Sequence, residues 1–233
     1  NACLEVAKDA PLGAYAVDYI ETHPVATVFL DMGLGKTSIT LTAINGLLFD
    51  SFEVHRVLVI APLRVARDAW TAEVDKWDHL QNLICSVAVG TESERKAALM
   101  RPADIYIINR ENVQWLVEES GIPFTFDMIV IDELSSFKNH NTKRFKAILK
   151  VRPKVSRIVG LTGTPASNGL MDLWAEFRIL DKPLLVTGIG VAFSNNDNRG
   201  LAQRLTETFA QMRRDGTLRE ILGKYLEHNI VVV

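Results

Sequence analysis

The sequence predicts an α/β fold, in which a mostly parallel β-sheet carries helices on both faces. Short apolar runs alternate along the chain with segments of helical periodicity. The apolar runs lack strict polar alternation, which is typical of strands that helices bury on both sides. Strand and helix in alternation favour parallel pairing in a three-layer fold. We therefore expect ligands to bind at the carboxyl ends of the strands.

The predicted elements follow from these runs and from the periodic segments between them. Strands are predicted at residues 25–30, 56–62, 104–109, 126–132 and 156–163. Helices are predicted at residues 36–48, 64–77, 92–100, 111–118, 141–150 and 169–180. A polar cluster directly follows several of the strands, where a ligand of a parallel sheet would bind.

Composition limits the classes of function. The 26 Lys+Arg and 28 Asp+Glu leave a formal net charge of -2, so contact with a nucleic acid has to be local. Cys3 and Cys85 are too few for a four-cysteine zinc site or a disulfide framework, which favours a reduced compartment. No apolar run reaches the ~18 residues that span a bilayer, and the N-terminus lacks the pattern of a secretory signal. We expect a cytoplasmic chain with no membrane partner.

The stretch "FLDMGLGKTSIT" is a candidate phosphate-binding loop. Gly33 and Gly35 allow a sharp turn that brings backbone amides to phosphate oxygens at a helix N-terminus. Lys36 would meet the β- and γ-phosphates and Thr37 would bind Mg²⁺, so ATP with Mg²⁺ is the expected ligand. Leu30 stands where the usual spacing has its first glycine, and an ordinary strand-to-helix turn is the alternative. The candidate nucleotide-binding residues are Met32, Gly33, Leu34, Gly35, Lys36, Thr37 and Ser38.

Two adjacent carboxylates end the predicted strand at residues 126–132. Asp132 and Glu133 follow a buried apolar run, where such a pair is costly unless a cation or a catalytic role requires it. Asp132 suits Mg²⁺ coordination through water, and Glu133 suits polarisation of an attacking water. The alternative is a strand that ends in a solvated acidic turn.

Four stretches occur in order along the chain: "DMGLGKT", "IAPLRVARDAW", "IDELSSFKN" and "LTGTPASNGLMDLW". They resemble motifs I, Ia, II (DEAD/DEAH-like) and III of the first RecA-like lobe of Swi/Snf-type superfamily 2 ATPases, especially bacteriophage helicase-like members. The resemblance covers residues 15–181 and implies a RecA-like P-loop NTPase domain. It implies Lys36 and Glu133 as catalytic residues and Thr37 and Asp132 as metal ligands. It also implies ATP hydrolysis coupled to translocation on double-stranded DNA, in a bacterial host cell if the chain is phage-derived.

Several residues are candidates for the nucleic-acid track. Arg64 and Arg67 open a helix after a strand and could meet a DNA phosphate, although a solvated basic helix face explains them equally well. Asn109 could lie near the track, but capping of the next helix is the simpler role. By the resemblance, Thr162 and Thr164 belong to the element that couples nucleotide state to the track; otherwise they form only a turn. The tryptophans are interpreted as core packing rather than as base-stacking residues: Trp70, Trp77, Trp115 and Trp174.

Two departures from the family pattern bear on function. Family members usually carry a glutamine upstream of the nucleotide loop that selects adenine; here the aligned residue is Gly13, and no glutamine precedes Gln81. A second RecA-like lobe normally supplies an arginine finger, but the chain after Asp181 is too short for one. We therefore expect nucleotide binding with weak hydrolysis.

The ends of the chain resemble a different family. Residues 182–233, and "CLEVAKDAPLGAYAV" near the N-terminus, are similar to parts of type 2 periplasmic amino-acid-binding proteins. This divides the chain into an N-terminal segment (1–14), the ATP-binding lobe (15–181) and a C-terminal helical tail (182–233). A chimera is one interpretation, with a binding-protein remnant or an inactive product as the alternative function. Generic amphipathic packing of the tail is the other interpretation.

Overall fold

A single seven-stranded parallel sheet organises the chain. The structure, a computed structural model, describes residues 11–30, 33–137, 139, 141–163, 178–180, 191–192, 211 and 214. The strands are β1 (Val25–Phe29), β2 (Val57–Ala61), β3 (Cys85–Ala88), β4 (Ile105–Asn109), β5 (Met128–Asp132), β6 (Arg157–Thr162) and β7 (Val191–Ala192). Their order in the sheet is β3-β4-β2-β5-β6-β1-β7, and every pairing is parallel. The predicted fold class is confirmed.

Helices and short helical turns connect the strands. The α-helices are α1 (Pro11–Thr22), α2 (Lys36–Phe49), α3 (Trp70–Lys76), α4 (Glu92–Met100) and α5 (Lys143–Val151). Two π-helical turns, Val65–Ala69 and Trp115–Glu119, interrupt the regular geometry. The 3₁₀ turns are Asp78–Leu80, Arg110–Asn112, Leu134–Phe137 and Arg152–Lys154.

Both faces of the sheet are buried, as the unbroken apolar runs predict. Along β2, Leu58 and Ile60 belong to one core cluster while Val57 and Val59 belong to the other. Alternate residues of one strand point to opposite faces, so each strand contributes to two cores. Helix α5 packs in the first cluster; α1, α2 and α3 pack in the second. This is the three-layer arrangement expected from the sequence.

The five predicted strands are all present, with ends within two residues of the prediction. Strand β3 was not among the predicted strands, because only alternate residues of Cys85–Ala88 are buried and no apolar run marks it. The predicted helix at 111–118 is instead a 3₁₀ turn followed by a π-helical turn. Most of the predicted helix at 169–180 lies outside the described residues.

Described elements span the first predicted segment boundary and lie beyond the second. Helix α1 runs without interruption through residues 14 and 15. Strand β7 lies within the predicted C-terminal segment and pairs in parallel with β1. None of the helices in the described part of the chain is long and apolar enough to cross a membrane.

Candidate functional site

The register of the central strands brings three loops to one place. Phe29 of β1 pairs with Thr162 of β6, and Asp132 of β5 pairs with Leu161 of the same strand. The chain therefore leaves β1, β5 and β6 at the same level, at the carboxyl ends of the strands. The candidate phosphate loop, the two carboxylates and the "LTGTP" turn follow these three strands directly. Parallel pairing alone thus assembles the predicted site.

The loop after β1 depends on two glycines in the left-handed region. Gly33 has φ 82° and Gly35 has φ 75°, which other residues rarely adopt. A Cβ on Gly33 would meet no heavy atom of the described residues within 4 Å. A Cβ on Gly35 would lie 3.1 Å from the Ser38 hydroxyl oxygen. Met32 lies outside the described residues, and Leu34 is exposed.

The side chain of Lys36 folds back into this loop. Its ammonium nitrogen donates to the carbonyl oxygen of Leu30 at 2.7 Å, and the side chain is half-buried. The Ser38 hydroxyl donates to the Gly35 carbonyl at 3.0 Å. Thr37 is half-buried in the first turn of α2. A cation and the start of a helix thus lie together at this turn, which is suitable for an anion.

Asp132 is a buried carboxylate at the end of β5, with 7% of its surface exposed. The indole nitrogen of Trp70 donates to its Oδ2 at 3.1 Å. Burial is the largest cause of a raised pKa at Asp132; the Trp70 hydrogen bond and the Lys36 charge oppose it, while the Glu133 charge adds to it. The alternative of a solvated acidic turn therefore does not describe Asp132.

Glu133 has an unusual backbone conformation. Its φ of 58° lies in the left-handed region, which costs a residue with a Cβ about 1–3 kcal/mol. The turn Leu134–Phe137 follows at once, and the Ser136 amide donates to the Glu133 carbonyl at 2.8 Å. The Arg144 guanidinium donates to the Ser136 carbonyl at 2.8 Å. This turn redirects the chain immediately after Asp132 and gives the two carboxylates different environments.

The residues present fit a nucleotide-bound magnesium ion. Among the described residues no group of three or more His, Cys, Asp and Glu could hold a metal ion alone. Mg²⁺ usually takes few protein ligands, since it keeps several waters and binds one or two carboxylates plus substrate phosphates. The buried Asp132 carboxylate next to the phosphate loop, together with the Thr37 hydroxyl in the first turn of α2, is such a donor set.

The candidate nucleic-acid residues differ in exposure. Arg64 and Arg67 are exposed. Asn109 is 6% exposed; its amide donates to Glu111 at 2.9 Å and its oxygen accepts from Asn112 at 2.6 Å.

Asn109 occupies the cap position of the turn Arg110–Asn112, but its side chain makes no capping hydrogen bond. Thr162 is 0% exposed, and Thr164 lies outside the described residues. Asn109 and Thr162 therefore present almost no surface in this structure, and their contact with a nucleic acid stays a prediction.

Sequence reasoning missed one contact to a site residue and one in the turn that follows Glu133. Trp70 was interpreted only as core packing; it is fully buried, but it also donates to Asp132. A buried indole N–H usually finds an acceptor, which is the signal that could have identified it. Arg144, which donates to the Ser136 carbonyl, has no local signal in the sequence. Trp77 and Trp115 are half-buried and buried, as expected, and Trp174 lies outside the described residues.

Comparison with known sequences identifies the family. The SNF2-related domain family matches residues 26–215. Protein p41 of Acyrthosiphon pisum secondary endosymbiont phage 1 is 40% identical over 163 residues, which are 67% of this chain and 35% of that protein. The mouse DNA excision repair protein ERCC-6-like is 31% identical over 154 residues, 63% of this chain and 12% of that protein. The chain therefore spans a minor part of the length of these relatives.

Solved structures share the architecture. The Sulfolobus solfataricus SWI2/SNF2 ATPase core in complex with dsDNA superposes with a TM-score of 0.62 at 27% identity, over 76% of this chain and 36% of that chain. The Pyrococcus furiosus Hef helicase domain gives a TM-score of 0.59 over 81% of this chain and 38% of that chain. At 18% identity, the latter likeness concerns the fold alone.

The interpretation of the chain as a chimera gains no support from these findings. The family match continues past residue 181 to residue 215, and β7 joins the sheet from within the C-terminal segment. The relatives named above include a DNA excision repair protein and a SWI2/SNF2 ATPase core. The chain belongs to the SNF2-related domain family, and its sheet is the first RecA-like lobe of a Swi/Snf-type, helicase-like ATPase.

Proposed function

We propose that this lobe binds ATP with Mg²⁺ at the carboxyl ends of β1 and β5, as one half of a DNA-dependent ATPase. The observation that carries the proposal is the buried Asp132 carboxylate beside a left-handed glycine loop whose lysine acts on it electrostatically. A buried carboxylate is costly without a compensating cation. Nucleotide-bound Mg²⁺ would supply that compensation.

Each residue of the site has a distinct role in this proposal. The amides around Gly33 and Gly35 and the ammonium of Lys36 hold the phosphates, which requires Lys36 to exchange its bond with the Leu30 carbonyl for a phosphate oxygen. Thr37 and Asp132 hold Mg²⁺, whose chemistry when bound is to neutralise charge on the phosphates. Glu133 orients the attacking water and accepts its proton.

Full hydrolysis requires a partner lobe. The residues described here form one sheet and supply the phosphate loop and the carboxylates. An arginine finger from a second lobe is worth roughly 10³ to 10⁵ in rate. We propose that this chain binds nucleotide tightly but hydrolyses it weakly without that lobe, and that the complete protein acts in the cytoplasm of a bacterial host.

Double-stranded DNA is the proposed track. The Sulfolobus ATPase core to which this chain is similar was solved with dsDNA. Arg64 and Arg67 are exposed in a segment that follows the carboxyl end of β2, the strand next to β5. They could meet phosphates there despite the overall charge of -2. Gly13 is buried in α1 and has no side chain that could read a base, so the proposal assigns no adenine contact to this position.

A thermal melt with and without nucleotide tests the proposal. At about 100 times its dissociation constant, Mg-ADP or Mg-ATP should stabilise the fold by roughly 2.7 kcal/mol, a rise of about 5–11 °C in a chain of this size. Lys36→Ala should melt like the parent without nucleotide and should lose the rise. Lys154→Ala removes an exposed lysine at the opposite ends of the strands and should keep it. A folded Lys36→Ala chain that shows the parental rise contradicts the proposed site.

A further inference from the structure

The contact between Trp70 and Asp132 joins two distant parts of the chain. Trp70 is the first residue of α3, and its ring is fully buried in the core cluster on that face of the sheet. Its indole nitrogen lies 3.1 Å from Oδ2 of Asp132. The carboxylate belongs to β5, which β3 and β4 separate from Trp70 in the sequence. A buried ring cannot change rotamer easily, so the direction of the N–H is fixed by packing.

The hydrogen bond from Trp70 limits the rotation of the Asp132 carboxylate but leaves some of its hydrogen-bond acceptor sites available. An ionised carboxylate offers about four lone-pair sites on its two oxygens. Trp70 occupies one of them on Oδ2. Room remains for another partner, while the rotation of the carboxylate is limited. Residues that orient a metal-binding side chain through a hydrogen bond typically change metal affinity 10–100-fold when they are replaced.

Trp77 offers an internal comparison. Its indole nitrogen donates to Oε2 of Glu73 at 2.6 Å, in the same helical segment and half-buried. The two tryptophans thus make the same kind of hydrogen bond to a carboxylate. Only the carboxylate that Trp70 contacts lies at the nucleotide site.

We propose that Trp70 is a positioning residue for the magnesium site, which holds the Asp132 carboxylate in the orientation that receives the ion. The inference rests on the proposed function, in which Asp132 binds nucleotide-associated Mg²⁺. Trp70 does not touch the nucleotide, so it acts only through Asp132. Its loss should therefore weaken the contribution of Mg²⁺ to nucleotide binding and leave the binding of metal-free nucleotide unchanged.

Calorimetric titration with ADP separates these two quantities. The parent, Trp70→Phe, Trp77→Phe and Asp132→Asn are each titrated in excess Mg²⁺ and in EDTA. The ratio of the two dissociation constants measures the Mg²⁺ contribution. Trp70→Phe should reduce that ratio about tenfold with the EDTA value unchanged. Asp132→Asn should remove the Mg²⁺ contribution, and Trp77→Phe should behave like the parent.

A second variant covers the case in which Trp70→Phe does not fold. Replacing Trp70 by β-(3-benzothienyl)alanine keeps the size of the ring but substitutes sulfur for the N–H. It should fold like the parent and show the same reduced ratio. A full Mg²⁺ contribution in this chain overturns the inference, and so does an equal loss with and without Mg²⁺, which indicates packing alone. A parent that binds ADP no better with Mg²⁺ contradicts the proposed function itself.

Discussion

Buried charge is handled differently at the two ends of the strands. At the amino ends, the Arg157 guanidinium donates to the carbonyls of Ile20 at 3.0 Å and Glu21 at 2.8 Å, and it pairs with the Glu53 carboxylate. At the carboxyl ends, the Asp132 carboxylate is similarly buried and accepts from the neutral indole of Trp70. Carbonyl and carboxylate oxygens of the protein accept the hydrogen bonds of the Arg157 guanidinium, which stabilises the fold. The Asp132 carboxylate has its pKa raised by burial, so its ionised form is stabilised less than in water.

We interpret this contrast as one between a structural charge and a charge that belongs to the proposed nucleotide site. The amino-end clamp, defined as Arg157, Glu53 and the carbonyls of Ile20, Glu21 and His23, ties the end of α1 to β6. The carboxyl-end site, defined as the Gly33–Lys36 loop with Asp132 and Glu133, combines burial with left-handed backbone. Buried charge and strained backbone at functional sites commonly lower the stability of the fold. Substitution of Arg157 in the clamp should therefore reduce stability, and substitution of the site carboxylates Asp132 and Glu133 should not.

Arg157→Met gives the largest expected effect. The substitution leaves buried carbonyls of α1 without a donor and should cost about 3 kcal/mol of unfolding free energy. The melting midpoint should fall by about 6–12 °C. The affinity for Mg-ADP, measured below that midpoint, should remain unchanged.

Glu53→Gln is the matched control for the clamp. The Glu53 side chain is 53% exposed, so loss of its charge should cost less than about 1 kcal/mol. A loss as large as that of Arg157→Met would show that the ion pair, rather than the carbonyl contacts, holds α1.

Gly160→Ala should cost about 2 kcal/mol. A Cβ there would lie 2.5 Å from Cδ2 of Leu134, in the middle of a buried strand where overpacking is not relieved. Because Leu134 follows Glu133 directly, a shift of Leu134 should also move Glu133. The rate of Mg-ATP hydrolysis should therefore fall by more than the loss of folded protein alone would produce. Chemical unfolding and steady-state ATPase assays measure the two effects.

Gly46→Ala is the same substitution near the amino-end clamp. The added Cβ would meet the end of the Glu21 side chain, which can move, and the position lies inside α2. Exchange of glycine for alanine in a helix should then be neutral or stabilise by up to about 1 kcal/mol. A loss as large as that of Gly160→Ala would mean that Glu21 is held rigidly.

Asp132→Asn should raise the stability of the nucleotide-free chain by about 1 kcal/mol, or about 2–4 °C in melting midpoint. Burial raises the pKa of Asp132 in the folded state, so the folded chain binds this proton more tightly than the unfolded chain does. The parent should therefore gain stability relative to Asp132→Asn as the pH falls from neutral through that raised pKa. A difference in midpoint that does not shrink on acidification contradicts this account.

Glu133→Gly gives the smallest expected effect. Glycine relieves the left-handed backbone at φ 58° but adds freedom to the unfolded chain, so the net gain should be at most about 1 kcal/mol. Glu133→Gln keeps the backbone strain and should leave the unfolding free energy unchanged. Both variants should lose ATP hydrolysis, and a Glu133→Gln chain that still hydrolyses ATP at the parental rate would exclude Glu133 as the base.

The sequence predicts those parts of the fold that depend on local pattern. The apolar runs of β1, β2, β4, β5 and β6 are visible because both faces of each strand are buried. Local pattern does not reveal strand β3 or helix α1, since β3 is half-buried and the buried residues described in α1 are Gly13, Ala16 and Ile20. The order of strands in the sheet depends on long-range pairing, which one sequence does not reveal.

For the candidate site, too, the sequence predicts the features that depend on local pattern and not those that depend on tertiary packing. The glycine loop and the two carboxylates are visible because their chemistry requires particular residues at particular spacings. The contact of Trp70 with Asp132 and that of Arg144 with Ser136 depend on side-chain packing between separate elements. The burial of Asn109 and Thr162 is also a tertiary property, although both end strands whose sequences predict burial.

The π-helical turn Val65–Ala69 determines the direction in which the side chains of the following helix α3 point, beginning with Trp70. A π turn takes up about one residue more than an α turn, and one residue of α-helix corresponds to about 100° of rotation. If the exposed start of the segment were held in place while the turn became regular α-helix, Trp70 would swing by about that angle away from Asp132. Deleting Ala69 tests this directly: helix content should persist while the Mg²⁺ contribution to ADP affinity falls. In the π-helical register that the structure shows, the indole reaches the carboxylate.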